Sequence, residues 1–367
     1  MKIAIIGTRG IPNNYGGFEQ FAEYVSVGLV QMGHEVSVYN SHNHVYQESE
    51  WNGVKLIHCY DPEEKVGTAG QFIYDLNCIL DTRRKKFDII LQLGYTSSSI
   101  WNFLFPSGSL IITNMDGLEW KRTKYNKYTR KFLKWAEKLA IKSSDVLVAD
   151  SIGIKEYLQH EYNAFSHYIA YGAELDLKYN QTVFEDLSIK PATYNLLIAR
   201  MEPENNIEVI LDGAVLAADK KTFIVVGGLK TPFAQYLLDK FAAYDHIKFV
   251  GAIYDFDKLN ALRREACLYF HGHSVGGTNP SLLEAMASES LIVAHDNTFN
   301  KNIVLENGYY FKDSKDVAVL IDTINKSEVI NQTKIQGNLT SIHTKFSWKM
   351  IIQQYEELFS KEYKKRG

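Results

Sequence analysis

The feature that most constrains this chain is an alternation of short apolar runs and amphipathic stretches, which begins at the first residues and restarts once. KIAIIG (Lys2–Gly7), EVSVYN, VKLIHCY, FDIILQLG, SLIITN and DVLVAD read as strands. Helices are predicted from Gly17 to about Gly33, from Gly70, near Ser97–Phe105, over Tyr125–Lys142 and after Ser151. The periodicity fades over Glu174–Thr193, and a second series follows: YNLLIAR, TFIVVGG, IKFVGA, CLYFHG and LIVAHD. Strand and helix in strict alternation define an α/β class with parallel sheets. At 367 residues the chain also exceeds one core of ordinary size. The expected architecture is two Rossmann-like, doubly wound domains facing across a cleft. Residues 1–175 form the first domain, 176–193 a linker, 194–345 the second domain and 346–367 a terminal helix packing back on the first. In that helix Ser347 can cap, and Trp348, Ile351, Ile352, Tyr355, Leu358 and Phe359 share one face.

Composition narrows the function. Hydrophobic residues at 46% and charged residues at 23% describe a globular chain. A formal net charge of −3 lacks the basic excess of a nucleic-acid reader. Cys59, Cys78 and Cys267 cannot all pair within one chain, and reduced, buried thiols in a cytoplasmic protein are expected. No apolar run reaches the roughly 20 residues of a spanning helix, and MKIAIIGTRG lacks a signal-peptide core.

The glycine loops carry the chemistry. GTRGIPNNYGGFE has glycines at 7, 10, 16 and 17, which do not fit G-x-G-x-x-G. The second strand ends in Asn40 and Ser41, where a dinucleotide enzyme needs an acidic residue. Gly16 and Gly17 still stand directly before a helix, where free N–H groups can meet an anion or a sugar hydroxyl; a plain tight turn is the alternative. Arg200 ends the first strand of the second series, and its guanidinium suits a diphosphate unless Glu202 or Glu204 pairs with it at the surface. In HGHSVGGTNPSLLEAMA, Asn279 can cap a helix with Pro280 in its first turn, so that its free N–H groups aim at the same ligand. Gly276 and Gly277 permit close approach of a ligand to the backbone. Glu284, one turn in, can accept from vicinal hydroxyls, or can be an ordinary exposed helix residue.

SLLEAMA after a strand and a glycine loop resembles glycosyltransferase family 4, retaining enzymes of the GT-B fold. GTRGIPNNYGGFE, NMDGLEWKR, VADSIGI, YGAE, ARMEPENN and GHSVGGTNPSLLEAMA together resemble a subgroup of bacterial rhamnosyltransferases in surface-polysaccharide assembly, over Lys2 to about Phe359. The resemblance implies that Glu284 holds the nucleotide ribose, Arg200 neutralises the diphosphate, and Gly16 and Gly17 close over the donor. With Lys230, His273, Gly277, Thr278, Asn279 and Ser281 these form the expected donor-binding set, although His273 can instead be a residue that hydrogen-bonds within its loop. Three positions depart from the family: Gly276 stands where a sugar-binding glutamate is usual, Asn205 where a lysine is usual, and Pro280 removes a backbone donor. The missing glutamate fits a deoxysugar donor.

The expected function is transfer of a sugar, L-rhamnose from dTDP-rhamnose, to a lipid-linked or oligosaccharide acceptor. The donor is a substrate, no cofactor is implied, and His271 and His273 lack the partners a metal site needs. Asp116, after the SLIITN strand, can orient or deprotonate the acceptor hydroxyl, or can simply brace a turn. Residues 120–142 hold nine basic residues and the single acidic Glu137. Lys127, Lys131, Lys134, Lys138 and Lys142 recur at helical spacing beside Tyr128, Phe132, Trp135 and Leu139. That pattern suits the anionic inner face of the cytoplasmic membrane, or a core helix with a solvated face. Two rival functions share the sequence signals: a nucleotide-sugar epimerase or hydrolase of the same fold, and a non-catalytic sugar-binding component of an assembly complex.

Overall fold

The first sheet collects Lys2–Ile6 (β1), Glu35–Ser41 (β2), Glu50–Trp51 (β3), Val54–Cys59 (β4), Ile89–Leu93 (β5), Leu110–Asn114 (β6), Val146–Ala149 (β7) and His167–Tyr168 (β8). In this computed structural model, which describes residues 1–14, 16–121 and 125–366, the strand order is β3-β4-β2-β1-β5-β6-β7-β8. Tyr15 of the first glycine loop, and Arg122, Thr123 and Lys124 of the basic segment, lie outside the described residues. Every pairing is parallel except β3 with β4. Every residue of β5 and β6 is buried, as in a parallel sheet covered on both faces, which explains why IILQL and LIITN are mostly apolar and show no in–out alternation. The order reverses between β1 and β5. Gly7 directly follows β1 with φ +86, and a Cβ there would stand 2.2 Å from the Leu93 carbonyl oxygen, so only glycine lets these two strand ends close up.

The second sheet holds Tyr194–Ile198 (β9), Thr222–Val226 (β10), Ile247–Gly251 (β11), Tyr269–His271 (β12), Ile292–His295 (β13) and Tyr309–Phe311 (β14). All are parallel, in the order β11-β10-β9-β12-β13-β14. Counted within this sheet, that is 3-2-1-4-5-6, the Rossmann order, with its switch point between β9 and β12. Its core is built from Leu197, Phe223, Val225, Phe270 and Val293 of the strands with Ile207, Leu211, Leu237 and Val317 of the helices.

The chain divides into one unit of Met1–Gly172 with Trp348–Gly367 and a second of Ala173–Ser347. Residues 176–193, expected as a linker, belong to the second unit instead. They carry the helix Thr182–Asp186, whose Val183 and Phe184 are buried, and Asn180 N–H donates to Asp257 O at 2.9 Å. An isolated apolar pair was too short a signal to reveal this docking. The terminal helix, Trp348–Arg366, packs on the helix Gly17–Gln31 within the first unit: Trp348 stacks on Tyr24 at 4.6 Å, and Tyr355 meets Phe21 edge-on at 5.2 Å.

The basic helix also differs from its sequence reading. Asn126 caps Lys127–Ser143 by accepting from Tyr128 N and Thr129 N, each at 3.0 Å. Its buried face is Leu133, Ala136, Glu137 and Ala140, whereas Tyr128 and Trp135 of the expected apolar stripe are exposed. The inward carboxylate decides the rotation. Glu137 accepts from Tyr157 Oη (2.8 Å), Trp120 Nε1 (3.2 Å) and Tyr162 Oη (2.5 Å), and the Lys134 ammonium lies 3.2 Å away. A buried carboxylate is tolerated only when so completely paired. Lys134 therefore leaves the solvated stripe and stands over the Trp120 ring, 4.4 Å from its centroid.

Cys59, Cys78 and Cys267 are free thiols; the first two are buried and Cys267 is half-buried.

Candidate functional site

In the second unit the site is built at the carboxyl ends of β9 and β12, the two strands that flank the switch point. Arg200 follows β9 and is exposed, and among the described residues its guanidinium makes no ion pair with Glu202, Glu204 or any other acid. Lys230 is exposed in the loop after β10, and it too has no ion pair among the described residues.

Asn205, where the resemblance leads to the expectation of a lysine, is a structural stitch. Its Nδ2 donates to Arg200 O at 2.7 Å, and its Oδ1 lies 2.9 Å from His273 Nδ1. With the amide nitrogen committed to a carbonyl, Oδ1 must accept, so His273 Nδ1 is the donor. One side chain thus ties the loop after β9 to the loop after β12. Asn206 adds a second tie, Nδ2 to Gly272 O at 2.7 Å, and Asn297 and Asn300 each donate to His273 O at 3.0 Å. Sequence reasoning missed Asn297 and Asn300, because nothing local to them points to a partner more than 20 residues away.

His271, at the end of β12, is buried, and desolvation, helped by His273, pushes its pKa down to about 3, so it stays neutral. The His271 and His273 rings are 6.1 Å apart, and among the described residues no third His, Cys, Asp or Glu joins them in a metal-holding group.

The helix Pro280–Ala287 starts where the sequence places it, but its amino end differs electrostatically. Asn279 Oδ1 accepts from Ser281 N at 2.9 Å, Leu282 N and Leu283 N both reach Asn279 O, and Pro280 has no N–H. The free donors expected to aim at an anion are therefore consumed within the first turn, because the cap that starts the helix also satisfies it. What remains there is the helix dipole and the loop before it. Ser281 Oγ is engaged with Tyr269 Oη at 2.8 Å, and Thr278 is buried while Gly277 is half-buried.

Gly276 has φ +127, and a Cβ there would meet His273 Nε2 at 3.1 Å. The backbone at this position thus favours glycine over the glutamate that the resemblance leads one to expect. Gly276→Glu, although it restores the family residue, is expected to lower kcat/KM for the donor by about tenfold through backbone strain. A donor titration checks it; a gain in affinity would show that the loop adapts.

Glu284 is not a freely exposed helix residue. Its side chain is 20% exposed, and its Oε2 is paired with Nη2 of the buried Arg263.

In the first unit, Gly16 is the extended N-cap residue and Gly17 the first residue of the helix, and no side chain caps it. Glu19, 3% exposed, accepts from Thr8 Oγ1 (3.1 Å) and Arg9 N (2.8 Å) and so fixes the loop after β1 to the helix that follows. Asn40 accepts from Ile11 N and donates to Ile11 O, which consumes the position where a dinucleotide enzyme would read a ribose. Asp116 is half-buried after β6; its own N–H donates to Asn114 Oδ1 at 3.2 Å, and its loop is anchored through Trp120 to Glu137. Asp75 was not legible from sequence: its carboxyl is buried and raised to about 7 by desolvation, against the lowering effect of Ser97 Oγ at 2.5 Å.

Residues 181–336 match the family of glycosyl transferases group 1, and residues 1–174 match a domain of unknown function, DUF1972. The second unit, Ala173–Ser347, is thus similar to group 1 glycosyl transferases over residues 181–336. Among solved structures, sucrose-phosphate synthase from Thermosynechococcus elongatus superposes with TM-score 0.80 at 16% identity, covering 98% of each chain. HepE from Anabaena, in complex with UDP, gives 0.75 at 16% identity over 98% of this chain and 100% of its own. A glycosyltransferase from Rickettsia africae gives 0.74 at 14%, over 100% and 98%. A search of curated proteins finds no match. The fold is GT-B. In the second unit, Arg200, Gly277 and Asn279 lie in the loops around one switch point and Glu284 lies on the helix that follows, while Gly16, Gly17 and Asp116 belong to the other unit.

Proposed function

We propose that the chain is a retaining transferase of glycosyltransferase family 4 that moves L-rhamnose from dTDP-rhamnose to a lipid-linked saccharide in bacterial surface-polysaccharide synthesis. The observation that carries this reading is Arg200, an arginine with no acidic partner among the described residues at the switch point of a Rossmann sheet. A guanidinium fork matches two phosphate oxygens at once. As the bond to the sugar breaks, negative charge grows on the departing diphosphate, and a fixed cation there stabilises the transition state more than the ground state. HepE is described with UDP and with UDP-glucose, which supports a nucleotide-sugar donor. Lys230 adds charge for the phosphates, His273 and the Gly276–Asn279 loop meet the sugar, and Gly16 and Gly17 offer backbone N–H groups. Gly276, held at φ +127 in place of a hydroxyl-binding glutamate, supports a deoxysugar.

Asp116 orients or deprotonates the acceptor hydroxyl. Asp116→Asn should lower kcat by about 10²–10⁴-fold with donor and acceptor saturating. Unchanged turnover would retire the role. The exposed Lys127, Tyr128, Lys131, Trp135, Lys138 and Lys142 support docking on anionic lipid at the inner membrane face, where a lipid-linked acceptor resides. No described helix is long and apolar enough to cross a membrane. Flotation with phosphatidylglycerol liposomes should be lost at high salt, and flotation that ignores salt would remove the electrostatic basis.

A panel of nucleotide sugars, incubated with and without lipid-linked acceptor, tests the whole reading. Transfer that needs the acceptor supports it. Donor turnover without acceptor points to an epimerase or hydrolase, and donor binding without any turnover to a sugar-binding component.

A further inference from the structure

Arg263 is 1% exposed, on the helix Phe256–Glu265. Its Nη2 pairs with Glu284 Oε2, and its Nη1 donates to Asn260 Oδ1 at 3.3 Å, one turn earlier on the same helix. Ser288 Oγ donates to Glu284 O at 2.7 Å and lies 3.4 Å from Asn260 Oδ1. Asn260 and Arg263 on one helix thus interlock with Glu284 and Ser288 of the next. Behind them, Ser290 Oγ donates to Arg263 O at 2.9 Å. The arrangement is a poor device for stability alone. A buried ion pair rarely outperforms apolar residues of similar volume, and Arg263 Nε has no hydrogen-bond partner among the described residues. What the pair does achieve is a fixed direction for one carboxylate whose side chain remains 20% exposed.

We infer that Arg263 is a positioning residue: it holds the Glu284 carboxylate in the orientation that receives a hydroxyl of the donor's nucleoside sugar. This rests on the reading of Glu284 as a nucleotide ligand. It adds that Glu284 works only as aimed by a guanidinium from the neighbouring helix, with Asn260 keeping that guanidinium flat against it. Lysine, a point charge without a planar fork, can neutralise Glu284 but cannot fix its plane.

The test measures dTDP and 2′,3′-dideoxy-TDP affinities by calorimetry, with UDP and 2′,3′-dideoxy-UDP as a second pair, for the wild type, Glu284→Gln, Arg263→Met, Arg263→Lys and the Arg263→Met/Glu284→Gln double variant. A charge-assisted hydrogen bond is worth about tenfold or more in affinity, so the wild type should prefer the hydroxyl-bearing nucleotide by about that factor. Arg263→Met and Arg263→Lys should each lose most of that preference, and the double variant should bind no worse than Glu284→Gln. Thermal midpoints recorded alongside identify any variant that has not folded; should methionine unfold the domain, the lysine variant decides. A folded Arg263 variant that keeps the full preference, or effects that add in the double variant, overturns the inference. If the wild type itself shows no hydroxyl preference, or Glu284→Gln retains it, the Glu284 reading fails instead.

Discussion

Arg200→Ala should lower kcat/KM for the nucleotide sugar by about a hundredfold to a thousandfold, the range seen when one fixed donor to a developing oxyanion is removed. Two observations set this expectation. The guanidinium is not engaged by Glu202, Glu204 or any other acid among the described residues, so no existing ion pair is lost and the folded state should be little affected. The amino end of the helix Pro280–Ala287 has its first-turn N–H groups satisfied internally, which leaves Arg200 with a larger share of the charge compensation. Arg200→Lys should recover only part of the loss, because an ammonium cannot grip two phosphate oxygens in one plane. The loss should appear mainly in kcat, with nucleotide diphosphate affinity falling less, since the charge is greatest as the leaving group departs. Steady-state kinetics over a donor series measures it. A change within threefold would remove Arg200 from the mechanism.

Trp348→Ala should destabilise the first unit by about 3–5 kcal/mol, the range for truncating a buried aromatic side chain. The indole is 5% exposed, stacks on Tyr24 with planes 4° apart, and meets Tyr171 at 5.3 Å and Phe21 at 6.2 Å. It also lies against a bare backbone: a Cβ on Gly172 would stand 2.4 Å from the ring. Such a pocket cannot collapse around a methyl group without moving Gly172, so the cavity persists. Denaturant melts should show a lower midpoint with an unchanged slope. Trp348→Phe, which keeps a ring on Tyr24, should recover a good part of the loss. A midpoint shift equivalent to less than about 1 kcal/mol would mean that the terminal helix contributes little to this unit.

Much of the local structure around the candidate site was legible before the fold was known, and the reasons are local. Asn279 and Pro280 announce a helix start through their own hydrogen-bonding capacity and fixed φ. Arg200 follows the mostly apolar strand YNLLI, so its place at a carboxyl strand end follows from counting. Gly276 was read as permitting close approach, and its φ of +127 shows a second reason for glycine at that position. What could not be read was which groups those residues meet. The N–H groups of the Pro280 helix were expected to be free, yet the residue that caps it uses them. The stripe Tyr128, Phe132, Trp135 and Leu139 was legible as a period but not as a direction. The buried carboxylate of Glu137, with donors from Tyr157, Tyr162 and Trp120, turned that helix another way.

The sequence by itself determined the alternation of strand and helix, the two Rossmann series, the loops of the candidate site and the glycines those loops need. Each of these depends on side-chain period, capping or backbone freedom within a few residues. Only the tertiary structure decided that residues 176–193 belong to the second unit, that Asn205 bridges Arg200 and His273, and that Arg263 grips Glu284. Those pairings join residues brought side by side by strand order and helix packing. A hydrogen bond or ion pair between distant positions leaves no periodic trace in either partner's neighbourhood.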